Sequence, residues 1–106
     1  MSRERLGELR GRIEEVDAEL VRLIGERRAL VVEIGRVKAE LGLPVLDPTR
    51  EAAVVRRAAA LARDAGGDEE MVRDVIWRII AAARQTQENR SSWGPPETTD
   101  AEAGEG

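Results

Sequence analysis

The fold is decided by residues 6–41, which read LGELRGRIEEVDAELVRLIGERRALVVEIGRVKAEL. Apolar residues recur along this stretch at alternating steps of three and four, the spacing of one narrow face of an α-helix. No proline interrupts the pattern before Pro44. The stretch therefore predicts one long helix with an apolar seam, formed by Leu6, Leu9, Ile13, Val16, Leu20, Leu23, Leu30, Ile34, Val37 and Leu41.

The predicted first helix is too long for its own chain to cover. At 1.5 Å per residue it would span about 54 Å, whereas a compact domain of this size has a radius of gyration of about 13 Å. The chain has 106 residues, which suits one domain with a small core. We therefore expect a homodimer in which the long helices of two copies pack side by side.

Turn and capping residues mark where the first helix ends and the next helices begin. Gly42 and Pro44 end the first helix, because glycine suits a C-cap and proline disfavours a helical residue before it. Asp47 followed by Pro48 is typical of an N-cap and the first helical position. Asp68 or a neighbour is expected to cap a third helix in the same way.

The remaining boundaries complete an all-α architecture of three helices per chain, one long and two shorter, intertwined as a homodimer. The second helix should end at Gly66 and Gly67, and the third should run to about Glu88. We expect a helical domain over residues 1–90. Residues 91–106 are rich in proline, glycine, serine, threonine and acid, a composition that predicts a disordered acidic tail.

Composition excludes several functions. The chain contains no cysteine and no histidine, so enzymatic chemistry must use arginine, lysine, carboxylates and amides, and we expect no metal and no cofactor. A net charge of −4 and two aromatic residues argue against nucleic-acid binding. No apolar run approaches the roughly 20 residues of a membrane span. Together with the missing cysteines, this favours a cytoplasmic location.

Two cations break the pattern of the first helix. Arg27 lies on the seam, four residues after Leu23 and three before Leu30. Lys38 follows eleven residues later, which places it about 20° away around the helix axis and about 16 Å along it. Side chains of roughly 6 Å could converge from these positions on a small anion.

Other interpretations of these polar residues stay open at this point. Arg27 could form an ordinary ion pair with a nearby carboxylate, of which there are three: Glu26, Glu33 and Glu51. Arg10 points about 100° away from Arg27, so it serves a site on the other subunit more easily. Gln87 ends the apolar stripe of the third helix with an amide, which is either a hydrogen-bond donor to a ligand or a solvated helix end.

The segment ERRALVVEIGRVK (residues 26–38), followed by PVLDPTRE (residues 44–51) and a later glutamine, resembles the all-helical bacterial chorismate mutases of the AroQ class. The likeness covers about residues 6–87. It implies intertwined dimers of three-helix chains that convert chorismate to prephenate by an intramolecular [3,3] rearrangement, toward phenylalanine and tyrosine. Such a reaction needs no nucleophile, proton carrier or metal, which agrees with the missing histidine and cysteine.

The resemblance assigns roles to the cations. Arg27 would bind one carboxylate of the substrate, and Arg10 would reach the other from the partner subunit. Lys38 would contact a carboxylate and the breaking ether oxygen. Gln87 would be the second donor to that oxygen.

The resemblance also implies contacts around the start of the second helix. Glu51 and the backbone around Asp47 would hold the substrate's hydroxyl, with Arg50 supporting the site. Ala83 departs from the family pattern, which often has a serine near the ring carboxylate of the substrate. Arg84 follows where an apolar residue is expected, and we hypothesise that it either supplies replacement charge to the substrate or points to solvent.

Three alternative functions remain compatible with the residues. An isochorismate–pyruvate lyase would share the arginine and lysine positions, although such relatives tend to lack the pair Asp47 and Glu51. The change at Ala83 also leaves room for a mutase of an amino-substituted chorismate. A non-catalytic helical dimerisation module could instead regulate another enzyme of the aromatic pathway, which would then be a protein partner.

Overall fold

The computed structural model describes the backbone of residues 2–93 and the side chains as far as residue 85. These residues form three helices, α1 (Arg3–Leu41), α2 (Pro48–Asp64) and α3 (Glu69–Trp93), with no strand in this part of the chain. The prediction of an all-α chain with one long and two shorter helices is confirmed. The chain divides into two units, the first ending at Arg36 and the second starting at Val37.

The apolar seam of α1 is exposed. No residue of α1 is buried, and even the least exposed seam residue, Leu9, keeps 41% of its surface accessible. The polar sides of the helix carry exposed ion pairs within one turn, such as Arg5 with Glu8 and Arg36 with Glu33. Such surface pairs contribute little to stability. Burial of the apolar seam would therefore stabilise α1 more than these pairs do.

A glycine in the left-handed conformation ends α1, as predicted. Gly42 has a φ of 72°, and its N–H donates to the carbonyl of Ala39 at 3.2 Å. The next N–H, of Leu43, donates to the carbonyl of Lys38 at 2.8 Å. These two bonds form the Schellman arrangement, which satisfies carbonyls that the helix end would otherwise leave unpaired.

Aspartate side chains begin the other two helices, and both capping predictions are confirmed. Asp47 accepts the backbone N–H of Arg50 at 3.0 Å, and Pro48 is the first residue of α2. Asp68 accepts the N–H of Met71 at 3.0 Å at the start of α3. Each carboxylate satisfies one of the N–H groups that have no partner inside the helix.

Helices α2 and α3 form a hairpin with a small core. Ala59 and Ile80 are its buried apolar residues within the described part of the chain, 1% and 5% exposed. Gly66, with a φ of 73°, makes the turn between the helices. Arg63 and Glu69 bridge that turn at 2.7 Å, and their hydrogen bond raises the pKa of Arg63 and lowers the pKa of Glu69.

Some large apolar residues of the hairpin remain exposed. Leu61, Met71 and Val75 keep 54%, 61% and 45% of their surface accessible. Two packed helices bury only one narrow stripe from each partner. Leu61 lies about 160° around α2 from the buried Ala59, and Met71 lies on the opposite side of α3 from the buried Ile80.

Helix α3 extends past the predicted end near Glu88, as far as Trp93. Residues 91–93, expected to begin the tail, are therefore helical. The physical reason is that neither glycine nor proline occurs between Glu88 and Gly94, so nothing in the sequence stops the helix earlier. The rest of the predicted tail, residues 94–106, lies outside the described residues.

None of the three helices, over the residues described, is both long enough and apolar enough to cross a membrane.

Candidate active site

Arg27 is half-buried on α1 and, among the described residues, has no carboxylate within ion-pair distance. The carboxylates proposed as its ordinary partners are all bound to other arginines: Glu26 to Arg22 at 3.2 Å, Glu33 to Arg36 at 2.7 Å and Glu51 to Arg84 at 2.6 Å. These contacts do not support the ion-pair interpretation. Among the described residues, no carboxylate occupies the guanidinium of Arg27.

Lys38 holds the junction between α1 and α2 through its side chain and its backbone. Its half-buried ammonium donates to the carbonyl of Val45 at 3.2 Å, and its own carbonyl accepts the N–H of Leu43. An ammonium has three donors, and the bond to Val45 is the only one it makes to a described residue. Two of its N–H groups therefore make no hydrogen bond to a described residue.

The first turn of α2 places three of the predicted site residues next to each other. The side chain of Asp47 is engaged by the cap, while its backbone carbonyl accepts the N–H of Glu51 at 3.0 Å. Arg50 is exposed, and its side chain makes no ion pair with a described residue. Asp47 thus orients the turn, and the charged groups it presents are those of Arg50 and Glu51.

Glu51 is bound across the hairpin by Arg84, a contact that the spacing of residues in the sequence does not predict. Nη2 of Arg84 donates to Oε1 of Glu51 at 2.6 Å, and the Glu51 side chain is only 16% exposed. Ala83, half-buried, precedes this arginine on α3. The guanidinium of Arg84 therefore binds a carboxylate and does not simply point to solvent, while its supply of charge to the substrate stays a hypothesis.

The other predicted residues are placed less completely. Arg10 lies exposed near the start of α1, in the first unit with Arg27. Lys38 belongs to the second unit, with the first turn of α2 and with Ala83. Gln87 lies within α3, but its side chain is outside the described ones, so its role stays a prediction.

The described part of the chain contains no group of three or more histidine, cysteine, aspartate or glutamate side chains that could hold a metal ion. The charged groups among the predicted site residues are instead arginines, one lysine and the carboxylates of Asp47 and Glu51. Such a set can bind and orient an anionic molecule and donate hydrogen bonds to it. It is suited to holding a reactive conformation rather than to nucleophilic attack.

Residues 9–88 match the family described as chorismate mutase type II. The match covers most of the chain, and this chain therefore belongs to that family. The resemblance predicted from the segments around Arg27, Lys38 and Glu51 is confirmed. The family match ends just after Gln87, so it includes all the predicted site residues.

Similar proteins and structures agree with the family. The chain is 34% identical over 91 residues to the T-protein of Haemophilus influenzae, which covers 86% of this chain and 23% of the T-protein. It is 35% identical over 68 residues to the chorismate mutase of Methanocaldococcus jannaschii, covering 64% of this chain and 69% of that protein. Its fold is similar to chorismate mutase (Form II) from Thermus thermophilus, with a TM-score of 0.72, 35% identity, and coverage of 81% and 97% of the two chains.

This chain thus spans about a quarter of the T-protein but nearly all of the Thermus thermophilus chain. In the longer relative the similar region is one part of a larger protein. In the Thermus thermophilus structure the similar region is nearly the whole chain.

Proposed function

We propose that this protein converts chorismate to prephenate by an intramolecular [3,3] rearrangement, in which one C–O bond breaks as one C–C bond forms. The observation that carries the proposal is Arg27, a seam cation that no described carboxylate neutralises. A substrate with two carboxylates suits that position. Membership of the chorismate mutase type II family supports the same activity.

In the proposed mechanism the protein holds the substrate folded and stabilises the charge that develops on its ether oxygen. Arg27 and the partner's Arg10 each bind a carboxylate, which fixes the two reacting ends close together. Lys38 and Gln87 donate to the ether oxygen, where negative charge grows as the C–O bond breaks. Glu51 accepts a hydrogen bond from the hydroxyl, and its position depends on the first turn of α2.

The direct test follows chorismate by its ultraviolet absorbance and identifies the product. Loss of chorismate with formation of prephenate supports the proposal. Isochorismate and the amino-substituted analogue of chorismate should be incubated in parallel. Faster turnover of either would assign the chain to one of the alternative activities, and no turnover of any of the three would leave the regulatory function as the better interpretation.

The exposed seam supports a homodimer as the working form. All ten seam residues lie in contact with solvent in the single chain, from 41% exposed at Leu9 to 67% at Leu41. Soluble monomers rarely expose a continuous apolar surface of this kind. A second copy offers an identical seam, so a symmetric pairing of long helices covers both. It also brings Arg10 of one chain toward a site on the other.

The sharing of sites between subunits can be tested with a mixed dimer. One chain carries Arg10→Ala and the other Lys38→Ala, with different affinity tags, and the heterodimer is purified through both. One of its two sites then keeps both residues, so we expect about half of the wild-type activity from two variants that are inactive alone. A heterodimer of Arg27→Ala with Lys38→Ala is the control and should stay inactive, because these residues serve one site from one chain. An inactive first heterodimer would contradict the placement of Arg10.

The pH dependence tests the role of Gln87. An amide does not titrate, so kcat should change little between about pH 5 and 8. A glutamate at this position must be protonated before it can donate to the ether oxygen, and as a carboxylate it repels the developing charge. We therefore expect Gln87→Glu to be active in acid and to lose kcat steeply as the pH rises above about 6. A steep fall of the wild-type kcat over the same range would remove Gln87 from the mechanism.

We further propose that the chain can associate with another enzyme of the aromatic pathway. The support is that the similar region of the T-protein is only a quarter of that longer chain, in which it is joined to other sequence. Co-purification from cells, with a change of mutase activity on mixing, tests this association. A cytoplasmic location stays a prediction.

A further inference from the structure

The contact between Glu51 and Arg84 differs from the other described ion pairs. It joins two helices through residues 33 apart in sequence, whereas the other ion pairs lie within one helix or bridge the turn between α2 and α3. Its carboxylate is also the least exposed of them, at 16%, with Glu69 next at 33%. Burial reduces screening by water, so the charge of the Glu51 carboxylate is screened less than the charges of the more exposed pairs.

Without a bound cation, the negative charge of Glu51 would oppose the binding of an anionic substrate. The proposed function places a substrate with two negative charges next to this carboxylate, which is needed to accept a hydrogen bond from the substrate's hydroxyl. Like charges at short range in a partly buried site repel each other. A cation bound to Glu51 offsets that repulsion while leaving the carboxylate able to accept a hydrogen bond.

The geometry of the pair shows that Arg84 binds only one of the two carboxylate oxygens of Glu51. Arg84 uses one nitrogen, Nη2, on one oxygen, Oε1, although arginine and carboxylate favour two parallel bonds when they meet freely. Nε of Arg84 is buried and has no hydrogen-bond partner among the described residues. Oε2 of Glu51 likewise receives no hydrogen bond from them. One oxygen is therefore anchored and the other is open.

We propose that Arg84 is a positioning residue: it anchors Glu51 through Oε1 and offsets its charge, so that Oε2 can accept the substrate's hydroxyl beside two substrate carboxylates. This inference rests on the proposed function. It assigns Arg84 an effect on substrate binding that operates through Glu51, without contact between Arg84 and the substrate.

The inference predicts a coupling between the two residues. Arg84→Ala should raise KM about 10-fold with a smaller change in kcat, because the unbalanced charge of Glu51 opposes the bound substrate and the transition state alike. Arg84→Lys should recover kcat/KM to within about 3-fold of the wild type, since it restores the positive charge. In the Glu51→Gln background, Arg84→Ala should change kcat/KM by less than about 2-fold, because no charge is left to offset.

Steady-state kinetics of the full chain with chorismate measure these effects, and Arg78→Ala is the matched control. Arg78 is an exposed arginine of the same helix with no ion pair to a described residue, so its loss should leave kcat and KM unchanged. Equal effects of Arg84→Ala with and without Glu51, or no effect at all, would overturn the inference while the wild type remains an active mutase. A wild type that does not turn over chorismate would overturn the proposed function, and the inference with it. Circular dichroism and thermal unfolding of Arg84→Lys show whether any loss reflects misfolding.

Discussion

Replacing Lys38 with alanine is expected to lower kcat for chorismate by about 100- to 1000-fold, the loss typical of removing one preorganised donor to a developing oxyanion. The ammonium is half-buried and already held by the carbonyl of Val45 at 3.2 Å, so little reorganisation is needed for its remaining donors to act. The proposed bond to the ether oxygen strengthens as that oxygen gains charge. The loss should therefore appear in kcat, and not in KM alone.

Arg36→Ala provides the control for this result. Arg36 lies on the same helix two residues earlier, is exposed, and pairs with Glu33 at 2.7 Å. Exposed pairs of this kind contribute little, and we expect its kcat to stay within about 2-fold of the wild type. A Lys38→Ala variant with a near-normal kcat would contradict the proposed mechanism.

The composition offers a check on Lys38 that does not depend on activity. Lys38 is the only lysine in the sequence, so an amine-reactive reagent can label its ammonium and the terminal amine alone. A bicyclic mimic of the rearrangement should protect Lys38 from labelling while the terminal amine reacts as before. Peptide mass spectrometry measures both positions in one sample, and equal labelling of Lys38 with and without the mimic would argue against its role.

Arg27→Ala is expected to lower kcat/KM by at least about 30-fold, because truncating one partner of a buried, hydrogen-bonded charge pair costs about 2–5 kcal/mol. A loss of this size in kcat/KM is expected because no described carboxylate competes with the substrate for the guanidinium of Arg27. Arg27→Lys should fall between the wild type and the alanine variant, since lysine keeps the charge but loses the planar fork that matches a carboxylate. Initial rates over a range of chorismate concentrations measure all three proteins.

Arg22→Ala separates ligand binding from ordinary ion pairing. Arg22 lies on the same helix and binds both Glu19 and Glu26, with side chains more than half exposed. Its removal should leave kcat/KM within about 2-fold of the wild type. If Arg27→Ala instead kept its activity and only lowered the unfolding temperature, Arg27 would be a structural residue and the proposal would lose its main support.

The helix boundaries could be predicted from the sequence because capping acts over a few residues. Asp47, Gly42 and Asp68 each bind backbone groups no more than four residues away, so the local sequence contains both partners. The end of α3 was predicted too early. Helix α3 extends at least to Trp93, because no glycine or proline occurs between Glu88 and Gly94 to stop it earlier.

The candidate site was only partly predictable. Arg27 and Lys38 were found because each lies at a definite place on one periodic helix, so their positions follow from counting residues. The partner of Arg84 was missed. An arginine where an apolar residue is expected signals an unusual environment, but nothing local indicates which carboxylate it meets.

The sequence by itself determined three helices, their caps, an apolar seam too long for one chain, and a set of cations suited to a doubly negative ligand. These features depend on interactions between near neighbours, for which spacing along the chain is a direct guide. The tertiary structure alone decided that Glu51, at the start of α2, is bound by Arg84 of α3. That contact exists because the hairpin brings together two residues that are 33 apart in the sequence. Which residues meet in this way depends on how α2 and α3 pack, and no repeat in the sequence indicates it.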